Sequence, residues 1–214
     1  MDKFTEIFMY AFASLFAVIN PVGMSAVFLS MTRDLPKDVR HKGAYRVAIW
    51  GGFLLVATFF VGPGLLRFFG ISVASMQVAG GLLVFFTAWS AFDAKPRVTS
   101  EEQKEKEGRE DIIFFPLTMP LTTGAGSMAV MIALATKLQL EHSYRVLGIS
   151  ASMLSILVVM GLVALCYRWS EPIFHRLGHT GTNVVSRVSA FLLLSIGVCI
   201  IWEGVLGLIH SMPH

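Results

Sequence analysis

Apolar and polar positions alternate along this chain in whole segments rather than residue by residue. Six mostly apolar stretches, at about 4–31, 43–66, 72–92, 112–136, 145–168 and 184–208, are separated by links that hold most of the charge. A helix needs about 20 apolar residues to cross a bilayer, so each stretch predicts one membrane-spanning helix. Strands of a membrane barrel would read instead as alternating segments of about 10 residues. The links differ in kind. Arg33 to Asp38 is a charged turn, and Arg67 to Ser72 is short enough to predict a tight hairpin of the second and third helices. Residues 93–111 are the most polar stretch and predict a solvated linker.

Two of the apolar stretches carry a break near the centre. The first holds Asn20-Pro21-Val22-Gly23, a strong turn signal. Pro21 has no N–H, and its ring pushes residue 20 out of right-handed helical geometry. The fourth stretch holds Pro116 and Pro120, followed by Thr122-Thr123-Gly124-Ala125-Gly126-Ser127. In hydrocarbon an unpaired backbone group costs several kcal/mol, so a broken helix survives only where protein or a water-lined cavity covers it. A plain packing kink is the alternative reading of each break.

The linker divides the chain into a first three-helix half, 1–92, and a second, 112–214. Three spans are an odd number, so the halves enter the membrane with opposite polarity, the precondition for an inverted repeat. The breaks fall in the first span of each half. Residues 75–83 can also be laid on 185–193, with small residues recurring at one helical spacing. That alignment sets Gln77 opposite Arg187.

Charge fixes an expected orientation. With alternating links, thirteen of the 17 Lys and Arg fall on one side and four on the other. The positive-inside rule then places both termini outside and the central linker in the cytoplasm. The N-terminal run is too long for the apolar part of a signal peptide and reads as an uncleaved first span. Arg46 and Arg187 read as anchors at cytoplasmic helix ends. Glu203 lies about one turn from the outer end of the last span and reads as a side chain snorkelling to that surface.

Composition agrees: 55% hydrophobic, 14% charged and a mean hydropathy of +0.68, where soluble domains carry about 25% charged residues. The pI near 9.0 comes from link Lys and Arg, and no basic-aromatic patch predicts a nucleic-acid partner. Cys166 and Cys199 lie in apolar runs and read as small hydrophobes. No Cys/His ligand spacing predicts a metal, and nothing predicts a cofactor. Gly-x-Ser-x-Gly, His-Glu-x-x-His and paired intramembrane aspartates are absent from the sequence, so no enzyme is expected.

Four ordered motifs resemble the MarC family of bacterial and archaeal inner-membrane proteins, also called UPF0056 or NAAT. They are Asn20-Pro21-Val22-Gly23; Phe69-Gly70-Ile71-Ser72 with Ala79-Gly80-Gly81; Pro116-Leu117 with Pro120-Leu121 and Gly124-x-Gly126; and Thr180-Gly181-x-Asn183-Val184-x-x-Arg187. The resemblance covers essentially the whole chain. It implies six helices in two inverted three-helix repeats in a bacterial inner membrane. For SnatA-like members it implies transport of small neutral amino acids such as glycine and alanine. Two positions depart from the family pattern. Ala125 stands where the family usually has proline, and Gln77 stands where it often has arginine.

Such a substrate needs donors for its carboxylate and acceptors for its ammonium. Half-helices starting after Pro21 and after Gly126 would offer N–H groups and positive dipole ends. Carbonyls near Ile19 and Thr122 would suit the ammonium or a coupling cation. The expected binding residues are Asn20, Pro21, Gly23, Ser25, Thr122, Thr123, Gly124, Gly126 and Ser127, with Thr118 a further hydroxyl. Gln77 and Arg187 are the expected inter-repeat contacts or anchors. The expected function is a secondary transporter; the alternatives are a channel or exporter of small solutes, or an accessory membrane protein. The coupling ion, sodium or proton, is left open, and a homo-oligomer is compatible with the sequence.

Overall fold

The computed structural model describes residues 2–93, 113–140 and 144–211, and the regular elements among them are all helices. The elements are α1 (Lys3–Ile19), α2 (Pro21–Met31), α3 (Lys37–Phe68), α4 (Val73–Asp93), an irregular wide turn (Ile113–Thr122), α5 (Ala125–Leu140), α6 (Arg145–Arg168) and α7 (Ser170–His210). Apart from Asp93, the expected linker 93–111 lies outside the described residues.

By length and composition, four segments can cross a membrane: Lys3–Met31, Lys37–Phe68, Arg145–Arg168 and Ala190–His210. Two shorter apolar helices, Val73–Phe86 and Ala125–Leu138, fall at the third and fourth expected spans. The outer surface carries large apolar side chains, among them Ile49, Phe53, Phe60, Leu157 and Phe191. So much exposed apolar surface suits lipid rather than water.

Two helices run beyond the expected spans. α3 starts at Lys37, ahead of 43, and so includes Arg40. α7 is continuous from Ser170, ahead of 184, so the Thr180-Gly181 stretch read as a link is helical. Polar residues are compatible with helix where their side chains leave the hydrocarbon.

The expected hairpin of the second and third helices also fails. The short link is present, and Gly70 takes φ 67° to end α3. Its neighbours close the turn, with Gly70 N–H donating to Arg67 O and Ile71 N–H to Leu66 O. Ser72 then caps α4 by accepting from Ser75 N–H at 3.0 Å. Yet α4 packs chiefly on α7, not on α3. The reason lies in small residues. A Cβ on Gly81 would meet Gly197 O at 2.9 Å, and one on Gly204 would meet Ala74 O and Val78 N at 2.8 Å. Backbones approach this closely only where side chains are missing, the usual device of membrane helix pairs.

The remaining packing follows one rule. α1 and α2 pack on α6, α3 packs on α5, α6 and the wide turn, α4 packs on α5, and α2 packs on α7. Helices within 1–93 touch one another only marginally. The core between them is apolar, with Leu15, Ile19, Phe28, Val47, Leu55, Leu117, Met131, Val159 and Tyr167 all almost fully buried. One polar tie sits at the end where α3 and α7 begin. Arg40, 5% exposed, donates to Glu171 Oε2 at 2.5 Å, and Lys37 Nζ lies 3.5 Å from Oε1.

Candidate functional site: two helix breaks

The first break is a single residue. Asn20 adopts φ 46°, ψ 64°, a left-handed conformation that asparagine tolerates better than most residues. Its Oδ1 accepts from Gly23 N–H at 3.2 Å, and its carbonyl accepts from Met24 N–H at 2.9 Å. Pro21 opens α2, where its missing N–H costs nothing. The proline, the asparagine cap and the first helical bond leave Val22 with the one uncommitted N–H of this first turn. Ser25 donates to Val22 O at 2.5 Å.

The second break is longer and is built on a tandem pattern, Pro116-Leu117-Thr118 then Pro120-Leu121-Thr122. The residue before each proline is extended, Phe115 at φ −123°, ψ 123° and Met119 at φ −124°, ψ 124°. Proline's Cδ imposes this. Each extended residue interrupts the helical ladder, and each threonine repairs it. Thr118 Oγ1 donates to Ile113 O and Thr122 Oγ1 to Leu117 O, both at 2.7 Å and both five residues back. Thr123 N–H bonds Thr118 O over the same span. With its proton on Leu117 O, Thr122 accepts from Tyr167 Oη at 2.8 Å. Tyr167 in turn stacks on Phe28 of α2, with centroids 4.6 Å apart.

α5 begins at Ala125, so Gly126 lies within its first turn rather than ahead of it, a correction to the expected start. Ala125 occupies the first helical position, where proline is favoured. Alanine keeps its N–H, and Gly124 has no side chain with which to cap the turn. The N–H groups of Ala125, Gly126 and Ser127 therefore have no acceptor within the helix. Ser127 Oγ donates to Gly124 O at 2.9 Å. The two breaks thus differ: the first is capped by its own residues, and the second is donor-rich.

One hydroxyl stands apart. Thr123 is fully buried, and among the described residues its Oγ1 is the buried side-chain polar atom without a hydrogen-bond partner. Gly51 of α3 faces it, together with Met160 of α6. Close by, a Cβ on Gly126 would touch Val18 of α1 at 3.1 Å and collide with Val84 of α4. A Cβ on Gly80 of α4 would meet Ala125 O at 3.3 Å. Four helices therefore converge on residues 123–126.

Asn20, Pro21, Gly23 and Ser25 form one cluster, and Thr122, Thr123, Gly124, Gly126 and Ser127 form another. α2 touches the wide turn and Val18 meets Gly126, so the clusters are neighbours. The side chains of Pro116 and Pro120 lie outside what the structure describes. Gln77 and Arg187 are placed apart in character. Gln77 is half-buried and lines a cavity with residues 196–203 of α7, whereas Arg187 is exposed.

That cavity, about 160 Å³, lies between α1, α4, α5 and α7 and is lined by Tyr10, Ser14, Val18, Gln77, Val130 and Glu203, among others. Sequence reasoning left Tyr10 and Ser14 unremarked. Their spacing with Ala17 and Val18 marks one helical face, the available signal.

A model of the MarC family, described as integral membrane proteins, matches residues 5–209. Among curated relatives, the UPF0056 membrane protein YhcE of Escherichia coli is 32% identical over 208 residues, covering 94% of this chain and 93% of its own. YvbG of Bacillus subtilis is 32% identical over 206 residues, covering 93% and 94%. A UPF0056 membrane protein of Aquifex aeolicus is 32% identical over 214 residues, covering 98% and 97%. No solved structure matches the chain.

Proposed function

The chain belongs to the MarC family of integral membrane proteins, and on that premise we propose that it is a secondary transporter of small neutral amino acids of the glycine and alanine class. The observation that carries this reading is Thr123, a buried hydroxyl without a partner beside the uncapped start of α5. A substrate carboxylate accepts hydrogen bonds from the Ala125, Gly126 and Ser127 N–H groups and lies at the positive end of the helix dipole. The Thr123 hydroxyl completes its shell. The ammonium faces backbone carbonyls near Ile19, at the negative end of α1. Val18, Val84 and Met160 crowd the site, which favours a side chain no larger than a methyl or hydroxymethyl group.

The six helices act as two inverted three-helix repeats, broken at α1/α2 and at the wide turn/α5. The packing supports this: exchanging the halves turns the α1–α6 contact into that of the wide turn with α3, the α2–α6 contact into α5–α3 and the α4–α5 contact into α7–α2. Access alternates between the two sides as symmetry-related contacts exchange. Both termini face outward, on the thirteen-to-four charge count.

Purified protein in liposomes, preloaded with unlabelled glycine, should take up labelled glycine, alanine and serine by saturable counterflow. Folded protein that moves none of the three removes this reading. Flux that does not saturate assigns a channel instead.

A further inference from the structure

We propose that the cavity between α1, α4, α5 and α7 is a binding site for a small monovalent cation, held on the carboxylate of Glu203. The sequence alone placed this side chain at the membrane surface. The structure leaves it exposed and adds that it lines a partly open cavity of about 160 Å³, whose lining also includes three other polar residues: Tyr10 and Ser14 on α1 and Gln77 on α4. A carboxylate, a carboxamide and two hydroxyls accept only through oxygen, the chemistry that suits hard cations and ammonium groups.

Glu203 has no ion-pair or hydrogen-bond partner among the described residues. Lys137 Nζ stands 5.9 Å from the centre of the ring of Tyr10, which lines the same cavity, and forms no ion pair with Glu203 among the described residues. A carboxylate in an apolar span is costly unless something neutralises it, and a single positive charge does so. A divalent ion would leave an excess charge beside Lys137.

The position ties the cavity to the breaks. Tyr10, Ser14 and Val18 run along one face of α1 towards Asn20. Val18, at the inner end, is the residue that Gly126 touches. The cavity therefore occupies the side of both termini and ends against the second break. Its cation is either an alkali ion or the ammonium group of an incoming amino acid. The site does not depend on the amino-acid reading, because an alkali ion can be tested alone.

The test is the melting midpoint of the intact protein in detergent. Sodium chloride is titrated against choline chloride at constant ionic strength, and glycine is titrated separately in choline chloride. The expected result is a saturable rise with sodium, with glycine or with both. The half-effect concentration should increase at least tenfold in Glu203→Gln and several-fold in Gln77→Leu and Ser14→Ala. The latter two keep the charge and report on the same cavity if Glu203→Gln does not fold. A sodium response assigns an alkali ion, and a Glu203-dependent glycine response without one assigns the ammonium. No response to either, or responses unchanged in these variants, overturns the proposal. A glycine response lost in Thr123→Val but kept in Glu203→Gln supports the transporter reading and not this one, so the two fail separately.

Discussion

A methyl group on Gly51 would stand 2.6 Å from Thr123 Oγ1. The bare backbone of α3 at residue 51 is what leaves room for that hydroxyl at the start of α5. Gly51→Ala should therefore cost about 1–3 kcal/mol of stability through overpacking. Much of that loss should return in the double variant with Thr123→Ala, because the clash is pairwise. Detergent melting of the two single variants and the double variant checks this. Additive losses would mean that the two residues are not coupled.

Thr123→Val replaces an unpartnered buried hydroxyl by a methyl group of nearly the same shape. Leaving such a group unsatisfied costs about 1–3 kcal/mol, so the variant should melt higher than the parent, by about 1 kcal/mol. Glycine counterflow should fall at least tenfold. Higher stability with lost flux is the signature of a residue retained for binding; lower stability with normal flux would remove Thr123 from the site.

Asn20 supplies both a left-handed backbone and a cap. Asn20→Ala loses both and should cost about 2 kcal/mol, from about 1 for each. Asn20→Gly keeps the conformation and should cost a few tenths. Equal losses for alanine and glycine would show that the backbone at Asn20 is not under this constraint.

Gly204→Ala sets a Cβ 2.8 Å from backbone atoms of α4, which cannot turn aside as a side chain can. The α4–α7 pair should lose about 1–3 kcal/mol. Gly161→Ala, with nothing within 4 Å of the new Cβ, should be neutral or slightly stabilising. The pair of melting curves separates close packing from any general intolerance of helix glycines.

Arg40 is almost fully buried while Glu171 is about one-third exposed. Glu171→Gln leaves a buried guanidinium without its carboxylate and should cost about 2 kcal/mol, less than for a fully buried pair. Arg40→Met removes the charge itself and should cost less. The reverse order in urea or thermal denaturation would indicate that the pair is held for packing rather than charge.

Much of this architecture is legible in the residues. Apolar length marks most of the helices, and Asn20-Pro21 marks the first break because proline forbids the one conformation that would continue α1. Pro116 and Pro120 mark the second. Chain adjacency misled where side-chain absence decides: α4 follows α3 by four residues yet lies on α7, since Gly81, Gly197 and Gly204 let those backbones meet. Five hydroxyls near the breaks look alike in sequence. Only geometry separates Thr123 from Ser25, Thr118, Thr122 and Ser127, each of which donates its proton to a carbonyl nearby in the chain. Glu203 likewise depends on which helices stand opposite it.

The interlocked packing also constrains how the protein can be made. α1 and α2 find their packing surfaces on α6 and α7, and α4 finds its own on α5 and α7. A ribosome delivers residues 1–93 first, so those helices enter the bilayer with their close-contact faces still against lipid. They must wait there, protected by hydrophobicity rather than by structure, until the last helix arrives. Loss of the C-terminal helix therefore undoes contacts made by the N-terminal half, and the two halves produced as separate chains should persist only when made together.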